Sequence, residues 1–79
     1  MPVREFSSAV PLWAKRIASM IYVERRRAGL TQAALAARAG VRQATVSQAE
    51  NDPRSMRLDT LEKILASLDL TLASARRPH

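Results

Sequence analysis

Only two glycines punctuate the chain, Gly29 and Gly40, and each stands just past a stretch with helical apolar spacing. Glycine enters the left-handed conformation without a Cβ penalty, so it is the natural residue just beyond a helix end. The two positions therefore predict two helix ends within twelve residues of each other, too close for anything but a short intervening helix. Ahead of Gly29, Ile17, Met20, Ile21 and Ala28 keep helical spacing, which predicts a first helix over 11–28 with Pro11 tolerated in its opening turn. Arg25, Arg26 and Arg27 fall in its last turn, where cations meet the negative end of the helix dipole. A second helix starts at Thr31, a capping residue, and carries Leu35, Ala36 and Ala39 up to Gly40. A third spans 42–51 with Val46 and Ala49 inward, and Asn51-Asp52-Pro53 stops it, since proline disfavours helical backbone in the residue before it.

The fourth helix is expected over 58–68, where Leu58, Leu61, Ile64, Leu65 and Leu68 form one stripe. Leu68-Asp69-Leu70-Thr71-Leu72 then alternates with period two and reads as a short strand. A lone strand leaves backbone groups unpaired. Pairing of Leu68, Leu70, Thr71 and Leu72 with the same segment of a second chain about a two-fold axis would satisfy them. The fold expected is all-α, four main helices with a short C-terminal strand shared across a dimer. The divisions expected are an extension over 1–10, a domain over 11–69 and a strand with a basic tail over 70–79.

Size and composition narrow the function. A chain of 79 residues buries only about 60% of its unfolded surface, so a partner subunit is expected. No cysteine is present and the sole histidine is His79, which removes thiolate metal sites and most histidine-based catalysis. No apolar run approaches the ~20 residues of a membrane span, and residues 1–10 lack the apolar core of a signal peptide. A soluble domain in a reducing compartment, without metal or cofactor, is expected. A membrane-surface role for the basic first helix would spend Trp13, Ile17 and Ile21, which a small core needs. No nucleophile–base pair or phosphate-cradling glycine loop argues for an enzyme.

The net charge of +6 and a sequence pI near 11.4 point to a polyanion. Up to Gly40, Arg4, Lys15, Arg16, Arg25, Arg26, Arg27 and Arg38 face only Glu5 and Glu24, whereas 58–69 sets Lys63 against Asp59, Glu62 and Asp69. The basic part is expected to face the polyanion and the acidic part to turn away.

The stretch 32–51 focuses this reading. Ala36 allows a close helix crossing, Gly40 ends the first helix abruptly, and Leu35, Ala39, Val41, Val46 and Ala49 fill the angle. This is helix-turn-helix spacing. On the third helix Arg42, Gln43, Ala44, Thr45, Ser47 and Gln48 point outward without a large hydrophobe. Arginine can donate twice to guanine, glutamine can pair with adenine, and an alanine methyl can rest on thymine. Gln32, Arg38, Arg54 and Arg57 suit phosphates. Glu50 has the wrong sign for that surface and is assigned to a structural ion pair with Arg25.

Gly29-Leu30-Thr31-Gln32, then Leu35-Ala36 and Gly40-Val41, resembles the Cro/C1-type (XRE) helix-turn-helix proteins, a family with the lambda-repressor-like fold. The run from Arg42 to Pro53, with the Leu68–Leu72 ending, is similar to the HipB antitoxins within that group. The resemblance covers roughly 12–75. It implies a bacterial dimer, cytoplasmic and on the nucleoid when bound to DNA, that represses its own operon on palindromic operators. It also implies a second partner, a HipA-type serine/threonine kinase toxin held inactive. Carried over, Arg42, Ala44 and Ser47 match base-reading residues, Gln43 and Gln48 match base-reading positions of the wider group, and Gln32 matches a phosphate contact. Thr45 joins Gln32, Arg38, Arg54 and Arg57 as expected phosphate-binding residues. Two departures stand out: the first ten residues precede the family's usual start, and the tail after Ala75 is shorter than in better-known antitoxins. The competing readings are a plain XRE repressor with no toxin and an interaction module that no longer reads DNA.

Overall fold

The computed structural model describes Phe6 and residues 8–71. Four helices follow one another: α1 (Leu12–Arg27), α2 (Gln32–Ala39), α3 (Gln43–Asn51) and α4 (Leu58–Ala66), with a single 3₁₀ turn at Pro53–Ser55 between α3 and α4. No strand occurs among the described residues. Ile17 and Ile21 of α1, Leu35 and Ala36 of α2, Val46 and Ala49 of α3, and Leu61, Ile64 and Leu65 of α4 form one buried cluster. Each short helix thus gives its apolar stripe to a shared centre, which is what stabilises helices of eight or nine residues that are marginal in isolation.

Three helix ends close in the same way. Gly29 and Gly40 both take φ of +72°. At the first, Gly29 N–H donates to Arg26 O and Leu30 N–H to Arg25 O; at the second, Gly40 N–H donates to Ala37 O and Val41 N–H to Ala36 O. These paired bonds satisfy carbonyls the helix leaves open. A Cβ on Gly40 would meet nothing within 4 Å, so backbone conformation, rather than room, explains glycine there. Thr31 caps α2 as expected, its Oγ1 accepting from Ala34 N–H at 3.0 Å.

The third such end corrects the strand expected from Leu68. Asp69 takes φ of +58°, with Asp69 N–H donating to Ala66 O at 3.1 Å and Leu70 N–H to Leu65 O at 2.8 Å. Leu68 and Leu70 straddle this turn and both pack against the core cluster. A left-handed residue between two inward leucines produces period-two spacing without extended pairing. Helix α4 accordingly stops at Ala66 rather than Leu68. Leu70 and Thr71 carry no regular structure; Leu72 and the tail, like most of the 1–10 extension, lie outside the described residues.

Two apolar residues expected inside are not. Trp13 is 53% exposed and Leu58 59%. The buried stripe of α1 runs through Ala14, Ile17, Ala18, Ile21 and Arg25. Each helical residue turns by about 100°, so Trp13 lies well round from the stripe's centre. Leu58 is the first residue of α4 and sits at the stripe's edge.

Candidate nucleic-acid interface

Helix α3 is divided cleanly between two jobs. Val46 and Ala49 are fully buried and Glu50 is 2% exposed, so the inner side is spent on holding the helix down. Arg42, Gln43, Ala44 and Gln48 are exposed, and Thr45 and Ser47 are partly buried. Of the five expected base-reading residues, the structure therefore brings Gln43, Ala44, Ser47 and Gln48 onto the uncovered side of α3 and places Arg42 just before its first turn. Two side chains there bond to nearby backbone carbonyls: Gln48 Nε2 donates to Asp52 O, just past the helix, at 2.7 Å and Asn51 Nδ2 to Ser47 O at 2.8 Å.

The inner anchor is the ion pair expected between Arg25 and Glu50. Arg25 Nε donates to Glu50 Oε2 at 2.6 Å and Nη2 to Oε1 at 3.1 Å, while Nη1 donates to Leu30 O at 2.8 Å. The guanidinium thus ties the end of α1 to α3 and to the loop before α2. Gln32, expected at a phosphate, is drawn into the same network, its Nε2 donating to Glu50 Oε1 at 3.2 Å. Arg26 lies over the Tyr22 ring at 5.5 Å and Arg27 pairs with Glu24 at 3.2 Å, so the arginine run has partners besides the helix dipole.

The expected phosphate-binding cations separate into two kinds. Arg38, in the last turn of α2, is exposed and in no ion pair among the described residues. Arg42 shares that freedom. Arg54, by contrast, is bound to Asp52, and Arg57 Nε donates to Asp59 Oδ1 at 3.2 Å. Hydrogen bonds from Arg54 hold the Asp52 carboxyl below its ordinary 3.8, and those from Arg57 do the same for Asp59. A lowered carboxylate pKa means that each carboxylate keeps the charge its pair needs until pH falls through the lowered value. The Asp52–Arg54 pair was not foreseen, although Asp-Pro-Arg places the two charges only two residues apart.

Among the described residues no group of three or more His, Cys, Asp or Glu side chains could hold a metal ion. Among the described residues no helix is long and apolar enough to cross a membrane.

Two short helices packed together with Ala36 buried among them, a glycine-ended turn and an uncovered polar face define a helix-turn-helix domain. The chain belongs to the Helix-turn-helix family, whose model matches residues 21–74. It is 40% identical over 57 residues to the antitoxin HipB of Escherichia coli K12, a match over 72% of this chain and 65% of that protein. A second HipB, from E. coli O6:H1, is also 40% identical, over 61% of its length. The chain thus matches slightly under two thirds of these curated relatives. Among solved structures, HipB in the HipA-HipB-O2-O3 complex superposes with a TM-score of 0.68 at 35% identity, covering 87% of this chain and 90% of that one. The restriction-modification controller protein C.Esp1396I superposes with a TM-score of 0.69 at 21% identity, covering 87% and 97%. That second likeness is one of fold.

Proposed function

We propose that the chain is a DNA-binding antitoxin that represses its own operon as a dimer on palindromic operators and neutralises a HipA-type serine/threonine kinase. The observation that carries the DNA half is the bare polar face of α3, flanked by Arg38 and Arg42, cations in no ion pair among the described residues. Arg42, Gln43, Ala44, Ser47 and Gln48 read base edges, with Gln48 first releasing the Asp52 carbonyl. Arg38, Thr45 and the remaining donor capacity of Gln32 meet phosphates, as does Arg57 if it lets go of Asp59. Two copies place their α3 helices in successive major grooves, about 34 Å apart. The second copy is joined through the segment from Leu70 onward, with Leu72 pairing across the two-fold axis. The kinase half rests on the likeness to HipB, one of whose structures includes HipA. The setting is the bacterial cytoplasm, with the nucleoid as the bound location.

The test is affinity purification of the tagged chain from its native lysate, alongside titration of the DNA upstream of its gene. A co-purifying kinase and a specific DNA complex are the expected results. DNA binding without a kinase would leave a plain repressor, and loss of both would reject the reading. Light scattering is expected to give twice the 8.7 kDa chain mass, falling toward the monomer in Thr71→Pro.

The two cations should separate by what they change. Arg42→Ala is expected to lose about 1–3 kcal/mol of discrimination at one base pair. Arg38→Ala is expected to weaken binding to all sequences and flatten the plot of log K against log salt by about one unit. Binding isotherms on the operator and on single-base variants at several salt concentrations distinguish them. If both variants altered only sequence preference, the division into reading and positioning would be wrong.

A further inference from the structure

Arg54 has the charge for a phosphate contact, but each of its three guanidinium nitrogens already donates to an acceptor, leaving two of its five N–H groups over. Nε donates to both Asp52 oxygens, at 2.9 and 3.0 Å, and Nη2 donates to Asp52 Oδ2 at 2.6 Å. Nη1 reaches back across the molecule to Ala9 O at 3.0 Å. All three guanidinium nitrogens therefore have acceptors, and the adjacent carboxylate offsets the positive charge.

Asp52 is itself a junction. Its N–H closes α3 on Gln48 O at 2.8 Å, its carbonyl accepts from Gln48 Nε2, and its Oδ1 caps the 3₁₀ turn through Arg54 N–H at 3.1 Å. On the other side of the guanidinium, Ala9 leads into Val10, only 6% exposed, and Pro53 beside Asp52 is buried too. The segment entering α1 is thus fastened to the end of the helix that carries the outward polar face.

We propose that Arg54 is a positioning residue: through Asp52 and the Ala9 carbonyl it sets the C-terminal end of α3 for DNA, and it does not itself bind phosphate. Ala9, just ahead of α1, then becomes part of the DNA-binding apparatus by its contact with Arg54. This inference rests on the DNA-binding reading.

The two roles predict opposite signs for Asp52. If Arg54 gripped phosphate, Asp52→Ala would free it and remove a nearby negative charge, so binding would tighten. As a positioning pair, Asp52→Ala and Arg54→Ala each weaken binding by about fivefold, the scale of an exposed ion pair. The double variant is then no worse than either single one. Lysine supplies the charge without the planar fork, so Arg54→Lys behaves like Arg54→Ala. The experiment uses the full chain and a duplex that wild-type protein selects from random-sequence DNA, titrated across salt concentrations, with thermal melting of each variant. Wild-type protein that selects no duplex would reject the DNA-binding reading itself, not this assignment. The expected result is weaker binding with an unchanged salt slope. The proposal is overturned by tighter binding of Asp52→Ala, by rescue with Arg54→Lys, or by a slope about 0.9 shallower in Arg54→Ala. It is equally overturned if melting falls while affinity and slope stay at wild-type values.

Discussion

Glu50→Ala is expected to lower the free energy of unfolding by about 3–5 kcal/mol, the usual cost of stripping one partner from a buried ion pair. Glu50 is 2% exposed and Arg25 8%, so the guanidinium left behind has no ready access to water. Two of its nitrogens lose their acceptor, leaving the Leu30 carbonyl and the face of the Tyr22 ring, 5.5 Å away. Gln32 is orphaned by the same change. Native domains hold about 0.05–0.15 kcal/mol per residue, so a chain of 79 residues has on the order of 4–12 kcal/mol in all. One side chain thus controls a large part of the whole. Denaturant unfolding followed by circular dichroism measures the loss. A paired replacement, Arg25→Met with Glu50→Leu, should recover much of it, because apolar groups need no counter-charge. A single-variant loss below about 1 kcal/mol would mean that the pair behaves as a surface one.

Leu35→Ala is expected to cost about 2–5 kcal/mol, the range for emptying a fully buried leucine site. Leu35 has no exposed surface and lies in the cluster that α1, α2, α3 and α4 share. With helices this short, little backbone can shift to refill the space without disturbing the packing around Ala36. The gain in helix propensity from alanine is small against this. Once corrected for the folded fraction, DNA affinity should match wild type, since Leu35 lies inside and not on the α3 face. Denaturation and binding titrations on the same preparation check both statements. A fall in corrected affinity would show that the cavity reorients α3.

Much of the fold was legible because single residues had single physical uses. Glycine at 29 and 40 and threonine at 31 each marked a helix end that the backbone then used. Glu50 revealed its place by having the wrong sign for its neighbourhood, and Arg25 was the cation within reach. The reading failed where a pattern had two geometric sources. Leu68-Asp69-Leu70 alternates like a strand, but a non-glycine residue at positive φ produces the same inward pair. A helical stripe gives a face without saying how far the cover extends, which is why Trp13 and Leu58 lie outside. Counting cations also treated Arg54 and Arg57 as available, although each has an aspartate two residues away. Gln32 was placed by its position at a helix start, and its tie to Glu50 depends on a crossing that the sequence does not display.

The split of α3 has an evolutionary consequence. Val46, Ala49 and Glu50 hold the helix, while Arg42, Gln43 and Ala44 touch little of the interior. Substitutions at those outer positions leave the scaffold's energy nearly intact, so selection can act on them without first repairing a damaged fold. After gene duplication, two copies can drift to separate recognition preferences by a few changes on one helix, and their regulatory circuits become insulated from each other. Changes at the inner positions have no such freedom, because each must be answered by a compensating change on α1 or α2.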